Sequence, residues 1–130
     1  MTIIIAGMQN SLLKIESSTT GWKTHESLKG TRPQSVTFDS RNPNRVYCGT
    51  FGDGLWKSND GGQTWERIAK DAIPSNDVTS VSASRIEQES RVYAGTEPTA
   101  FYRSDDGGEA WERMNTLNNL RSSKIMELSS

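Results

Sequence analysis

At 130 residues, with 32% hydrophobic and 24% charged positions, the chain has the size of one domain and can bury about two-thirds of its unfolded surface around its own core. A net charge of −1 with the signs interspersed removes the electrostatic case for a nucleic-acid partner, which calls for a basic stripe. The single cysteine, Cys48, excludes an internal disulfide framework and a multi-cysteine metal site.

Other classes fall away on segment length. No run reaches the ~20 apolar residues of a membrane span. The apolar start "TIIIA" is shorter than a signal-peptide core and has no basic region before it. The expectation is a soluble and, by default, cytoplasmic chain with no membrane role and no cofactor. Abundant Gly, Ser, Thr, Asn and Asp, with a mean hydropathy of −0.70, fit many short strands with polar turns better than a helical bundle.

In chain order, "IIIAGMQNSLLKIESSTTGWK" (3 to 23) predicts three strands, near 3 to 7, 11 to 16 and 21 to 27. "SVTFDS" (35 to 40), "RVYCGT" (45 to 50), "GLWKS" (54 to 58) and "TWERI" (64 to 68) predict four more. "VTSVSAS" (78 to 84), "RVYAGT" (91 to 96), "AFYRS" (100 to 104) and "AWERM" (110 to 114) repeat that order. These are β-branched and aromatic runs, and no apolar stripe of period 3.6 crosses a whole unit. The closing "SKIMELSS" (123 to 130) reads as one further inner strand with nothing after it.

The order repeats because the letters repeat. "SNDGGQTWERI" (58 to 68) returns as "SDDGGEAWERM" (104 to 114), and the likeness extends upstream without a gap to Arg45 and Arg91. In the worn opening copy Gly7 matches Gly49 and Gly95, and Trp22 matches Trp65 and Trp111, at intervals of 42 to 46 residues. A period in that range belongs to propeller blades and to some helical repeats, and the strand chemistry selects the former. The resulting division is an incomplete blade at 1–30, blades at 31–72 and 73–117, and the start of another at 118–130. The fold class expected is an all-β partial propeller of about three four-stranded antiparallel blades.

The duplicated stretch falls on the turn between the third and fourth strands of a unit. Gly61 and Gly62 tolerate backbone angles that other residues avoid. Asp60 can accept from turn amides, with Ser58 as a weaker acceptor. Trp65 is expected to begin the fourth strand and seal one blade against its neighbour. Ser104, Asp106, Gly107, Gly108 and Trp111 are offered for the same jobs. The pattern S-x-D-G-G-x-T-W resembles the Asp-box, or BNR repeat, of sialidases, xyloglucanases, sortilin-type receptors and photosystem II assembly factors. With "YAGTEP" it is most similar to BNR-repeat propellers labelled sialidase-like or glycosyl-hydrolase-like. Ala110 stands where that pattern has Thr, and "IESSTTGW" has lost the Asp and the double Gly. The resemblance implies a propeller whose Asp-boxes lie away from the catalytic face of the enzymes that carry them.

Function is therefore sought on the opposite loops, "MQNS", "TFGDG" and "TEPT", which carry Gln9, Phe51, Asp53 and Glu97 toward the expected channel mouth. Asp53 and Glu97 come from adjacent units and are the candidate carboxylate pair for glycoside hydrolysis; solvated loop acids are the plainer account. Arg45 and Arg91 share one repeat position and read as structural, so neither the arginine cluster nor the tyrosine nucleophile that the resemblance implies can be placed. His25, the only histidine, lacks partners for a zinc site or a Ser–His relay. Cys48 matches Ala6 and Ala94 and reads as a small buried residue. The sequence leans to a non-catalytic module that presents its loop face to a protein or carbohydrate partner. A glycosidase-like fragment with catalytic groups outside this chain is the alternative. Three blades cannot close a ring, so either a homodimer completing a ring or a piece of a longer propeller is expected.

Overall fold

The computed structural model describes residues 2–84 and 90–114. Eleven strands, β1 (Ile3–Gly7), β2 (Leu12–Ser18), β3 (Gly21–Ser27), β4 (Pro33–Phe38), β5 (Val46–Thr50), β6 (Leu55–Ser58), β7 (Glu66–Ile68), β8 (Asp77–Ala83), β9 (Val92–Glu97), β10 (Ala100–Ser104) and β11 (Glu112–Met114), follow one another. They form three antiparallel meanders in chain order: β1-β2-β3, β4-β5-β6-β7 and β8-β9-β10-β11. The further strand expected at 123 to 130 lies outside the described residues. Among those described, no helix is long and apolar enough to cross a membrane.

Small, aromatic and β-branched residues make β5 "VYCGT" and β9 "VYAGT" the central strands, and β5 is buried at every position. Both pair with their inner strand in one register. Pro33 faces Thr50 and Ser35 faces Gly49 in one sheet, while Val78 faces Thr96 and Ser80 faces Gly95 in the other. Each inner strand carries a bulge between these two positions, and the extra residue there bends the strand and sharpens its twist.

The sheets stack face to face, and a glycine sets each contact. A Cβ on Gly49 would stand 2.5 Å from the carbonyl oxygen of Val78, and one on Gly7 would stand 3.4 Å from Pro33 Cβ. With no side chain at 49, the inner strand of the third sheet lies directly on the second. There Ser35 Oγ accepts from Val81 N at 3.1 Å, Thr37 Oγ1 accepts from Ala83 N at 3.1 Å, and Ser40 Oγ donates to Ser84 O at 2.7 Å. Tyr47, Leu55, Ile73, Val78, Val92 and Tyr102 close the core between these two sheets.

Two expectations about strand ends are corrected. β4 starts at Pro33 and stops at Phe38, because Asp39 turns the chain, accepting from Arg41 N at 2.8 Å and pairing with Arg45 at 3.0 Å. The fourth strands hold three residues each. Trp65 and Trp111 do not begin them: the turn before each strand takes up the Thr64 and Ala110 amides and the indole N–H groups of the two tryptophans.

Candidate functional site

Hydrogen bonds sort the loops onto two ends of the stack. At one end the third-to-fourth-strand turns meet the inner hairpins, through Gly61 N to Asn44 O at 2.8 Å and Gly107 N to Ser90 O at 3.1 Å. At the other end the remaining loops meet, through Gly30 N to Asn10 O, Phe51 N to Arg32 O and Gly52 N to Asn76 O.

The turn end is built around Asp60 and Asp106. Asp60 Oδ1 accepts from Ser58 Oγ, Gln63 N and Thr64 N at 2.8, 3.1 and 2.9 Å, and Oδ2 accepts from Thr64 Oγ1 at 2.6 Å. Asp106 repeats the first three, from Ser104 Oγ, Glu109 N and Ala110 N at 2.9, 3.1 and 3.0 Å. It has no hydroxyl at position 110. Hydrogen bonds to the ionised form stabilise it, so the Thr64 hydroxyl and then its amide hold Asp60 well below the usual carboxylate range. The Ala110 amide foremost lowers Asp106 in the same direction. Ser58 and Ser104 complete each turn by accepting from Gly62 N and Gly108 N at 2.9 Å, and the indoles of Trp65 and Trp111 donate to the Gly62 and Gly108 carbonyls.

All four turn glycines have positive φ, between 73° and 97°, the left-handed region that penalises a side chain. They also admit the preceding sheet. A Cβ on Gly108 would lie 2.8 Å from the Tyr47 ring, and one on Gly62 would lie 3.1 Å from Ile5 Cδ1. Tyr47 is fully enclosed there, with its hydroxyl unpaired, and burial pushes that hydroxyl's pKa up. Burial likewise pushes the Cys48 thiol up to about 12, so it is a packed, unreactive group.

At the other end, Phe51 lies exposed beneath the Arg32 guanidinium, 4.8 Å from the ring centroid. Phe51 bridges Asp77, and Asp77 pairs with Glu97, so Phe51 and Glu97 flank one residue across two sheets. Ser75 Oγ ties the Glu97 carbonyl at 2.6 Å. Asp53 is half-buried, its carbonyl accepting from Trp56 Nε1 at 2.9 Å. Gln9 is exposed in the loop between β1 and β2 and shares no hydrogen bond with the other three. Sequence reasoning missed Arg32 and Asn76. The latter's carbonyl accepts from Gly52 N and Gly54 N, and its side chain accepts from Arg67 at 2.6 Å. Neither lies in a repeated stretch, so the repeat could not single them out.

A second feature sits where the first two sheets meet. Lys14, 7% exposed, reaches Gln63 Oε1 at 3.2 Å, and His25 Nε2 lies 2.9 Å from the Gln63 carbonyl. A carbonyl only accepts, so Nε2 is the donor. These residues line a cleft of about 410 Å³ with Glu16, Lys23 and Thr24. The repeat contains the signal for it: Lys14 and Lys57 stand eight residues before Trp22 and Trp65, which share one repeat position.

No family model matches the chain, and no curated protein does. Among solved structures it is similar to YCF48 bound to D1 peptide, at 21% identity and a TM-score of 0.62 over 83% of this chain and 35% of that one. It is similar to YCF48 from Cyanidioschyzon merolae at 21% identity and a TM-score of 0.54, over 65% and 26%. Three up-and-down sheets stacked in chain order, matched on propeller structures, decide the architecture. The chain is an arc of a β-propeller. An ancestral GH74 enzyme matches the same arc at 24% identity and a TM-score of 0.55, over 84% of this chain and 16% of that one. The chain thus spans about a third or less of the length of these structures, and identities this low carry the fold alone.

Proposed function

We propose that this arc is a non-catalytic binding module whose loop-bearing end presents Phe51, Asp53, Glu97 and Gln9 to a protein or carbohydrate partner. The observation that carries it is the exposed Phe51 ring under Arg32, fixed by backbone bonds from Phe51 N and Gly52 N to the neighbouring connections. Aromatic and arginine side chains are the residue types enriched in binding hot spots, and a ring already held in place loses little freedom on association. A protein partner fits this composition, and YCF48, one of the similar propellers, is bound to a D1 peptide.

A glycosidase reading has one supporting observation, the likeness to a GH74 enzyme, and it would rest on Asp53 and Glu97. The two readings separate by experiment. Peptide and glycan arrays probed with the full chain should yield ligands whose binding falls about tenfold or more in Phe51→Ala, with the unfolding midpoint unchanged. Turnover of an oligosaccharide that is abolished in Asp53→Asn and Glu97→Gln would replace the binding reading by the enzymatic one. Binding that survives Phe51→Ala and Glu97→Ala would move the site off this end.

A further inference from the structure

The two junctions between blades treat one buried lysine differently. Lys57, 5% exposed on β6, is neutralised across the second junction by Glu109 at 3.5 Å. Glu109 occupies the position two residues before the turn tryptophan of the next blade. At the first junction Lys14, on β2, is just as enclosed, but the corresponding position is Gln63. The lysine therefore meets a neutral amide oxygen where its counterpart meets a carboxylate. Among the described residues no carboxylate oxygen lies within 4.0 Å of Lys14 Nζ. A buried ammonium without a counter-charge is costly and draws an anion. The wall beside it adds Lys23 and His25, the latter directly opposite Lys14 on β3, and one acid, Glu16, which faces Lys23 across the strands. Two lysines against one glutamate leave that wall with one net positive charge before His25 is counted. Glu16 and Lys23 also line a second cleft, of about 510 Å³, with Ser17, Ser18 and Thr19.

We propose that this cleft is a carboxylate-binding site in which the ligand's carboxylate takes, at Lys14, the place that Glu109 takes at Lys57. Lys23 lies at the exposed rim and adds attraction, Glu16 sets a limit on how much negative charge the ligand carries, and the hydroxyls beyond offer hydrogen bonds to a polar extension. This site is separate from the loop end of the module, and neither depends on the other.

Titration of the full chain with succinate, followed by amide NMR shifts, tests the inference. Saturable shifts are expected at Lys14, Lys23, Thr24, His25 and Gln63. Gln63→Glu supplies the missing carboxylate from the protein itself, so it should weaken succinate binding by about tenfold or more while raising the unfolding midpoint. Lys23→Gln, at the rim and harmless to folding, should weaken binding with no change in the midpoint. A glutamate-containing tetrapeptide at the same carboxylate concentration identifies the source of the group. Tighter binding than succinate marks a peptide side chain, and equal binding marks a free small acid. Phe51→Ala must leave the titration unchanged, which keeps this test apart from that of the loop end. Absence of saturable shifts, binding indifferent to Gln63→Glu, or equal competition by chloride would overturn the proposal.

Discussion

Replacing Ala110 by threonine isolates one hydrogen bond in a turn that the molecule contains twice. In the first copy Thr64 Oγ1 donates to Asp60 Oδ2 at 2.6 Å; in the second, Asp106 keeps its three Oδ1 bonds and position 110 has no hydroxyl. The backbone of the two turns is superimposable in its φ signature, 73° and 97° against 73° and 88°, so a threonine at 110 meets the same acceptor geometry. A hydrogen bond to a charged acceptor contributes up to about 1.5–3 kcal/mol. Asp106 is exposed, so solvent screening reduces this to about 0.5–1 kcal/mol. For a chain of this size that corresponds to a rise in Tm of about 2–4 °C. Thermal unfolding followed by circular dichroism reads it, with Thr64→Ala as the mirror experiment expected to lose a similar amount. The gain from Ala110→Thr should vanish at low pH, where Asp106 is protonated and the acceptor is weakened. A neutral or destabilised Ala110→Thr at pH 7, with Thr64→Ala also neutral, would refute the view that the hydroxyl-to-aspartate bond stabilises these turns.

The turn aspartates also set an acid limit. Both have lowered pKa values in the fold, so their stabilisation is fully present above the unfolded carboxylate pKa near ~4 and is lost as pH falls below it; Asp60→Asn should flatten the acid side of the stability profile. Tyr47→Phe removes a buried hydroxyl that has no partner and should leave stability unchanged or raise it by up to about 1 kcal/mol, whereas a larger loss in urea denaturation would mean the hydroxyl is bonded in solution. Gly49→Ala drives a methyl into the Val78 carbonyl at 2.5 Å, while at Gly95 the nearest atom is the rotatable Ser80 Oγ. The first should therefore cost about 1–3 kcal/mol and the second clearly less, and equal losses would contradict the stacking geometry.

How much of this was readable beforehand follows from what a repeat encodes. A duplicated "VY(C/A)GT" and "S-x-D-G-G" name the same backbone twice, so strand order, the turn and its positive-φ glycines could be placed from letters alone. Strand ends were less legible. Thr64 and Trp65 look like β residues, but the Thr64 amide donates to Asp60 and the Trp65 indole to the Gly62 carbonyl, and local side-chain competition outweighed propensity. The tryptophans were expected to seal blades against each other. Trp111 packs against the core between the second and third sheets, both indoles also close their own turns, and a tyrosine ring over a glycine adds a contact between blades that the letters do not announce. Differences between copies, such as Gln63 against Glu109, look like neutral drift when the repeats are laid over one another. Only the burial of Lys14 and Lys57 gives them electrostatic weight.

The glycine turns give the stack a direction. Each turn laps over the inner face of the blade before it, as Gly108 laps Tyr47 and Gly62 laps Ile5, like shingles laid along a roof. At these turns a blade is thus weatherproofed by its successor. Loss of the third blade would bare a ring that is wholly covered in the intact arc, and loss of the first would remove the Ile5 contact under the Gly62 turn. Opening of a turn should accordingly expose the blade before it, and coupled amide exchange at Gly108 and Tyr47 would record that grain.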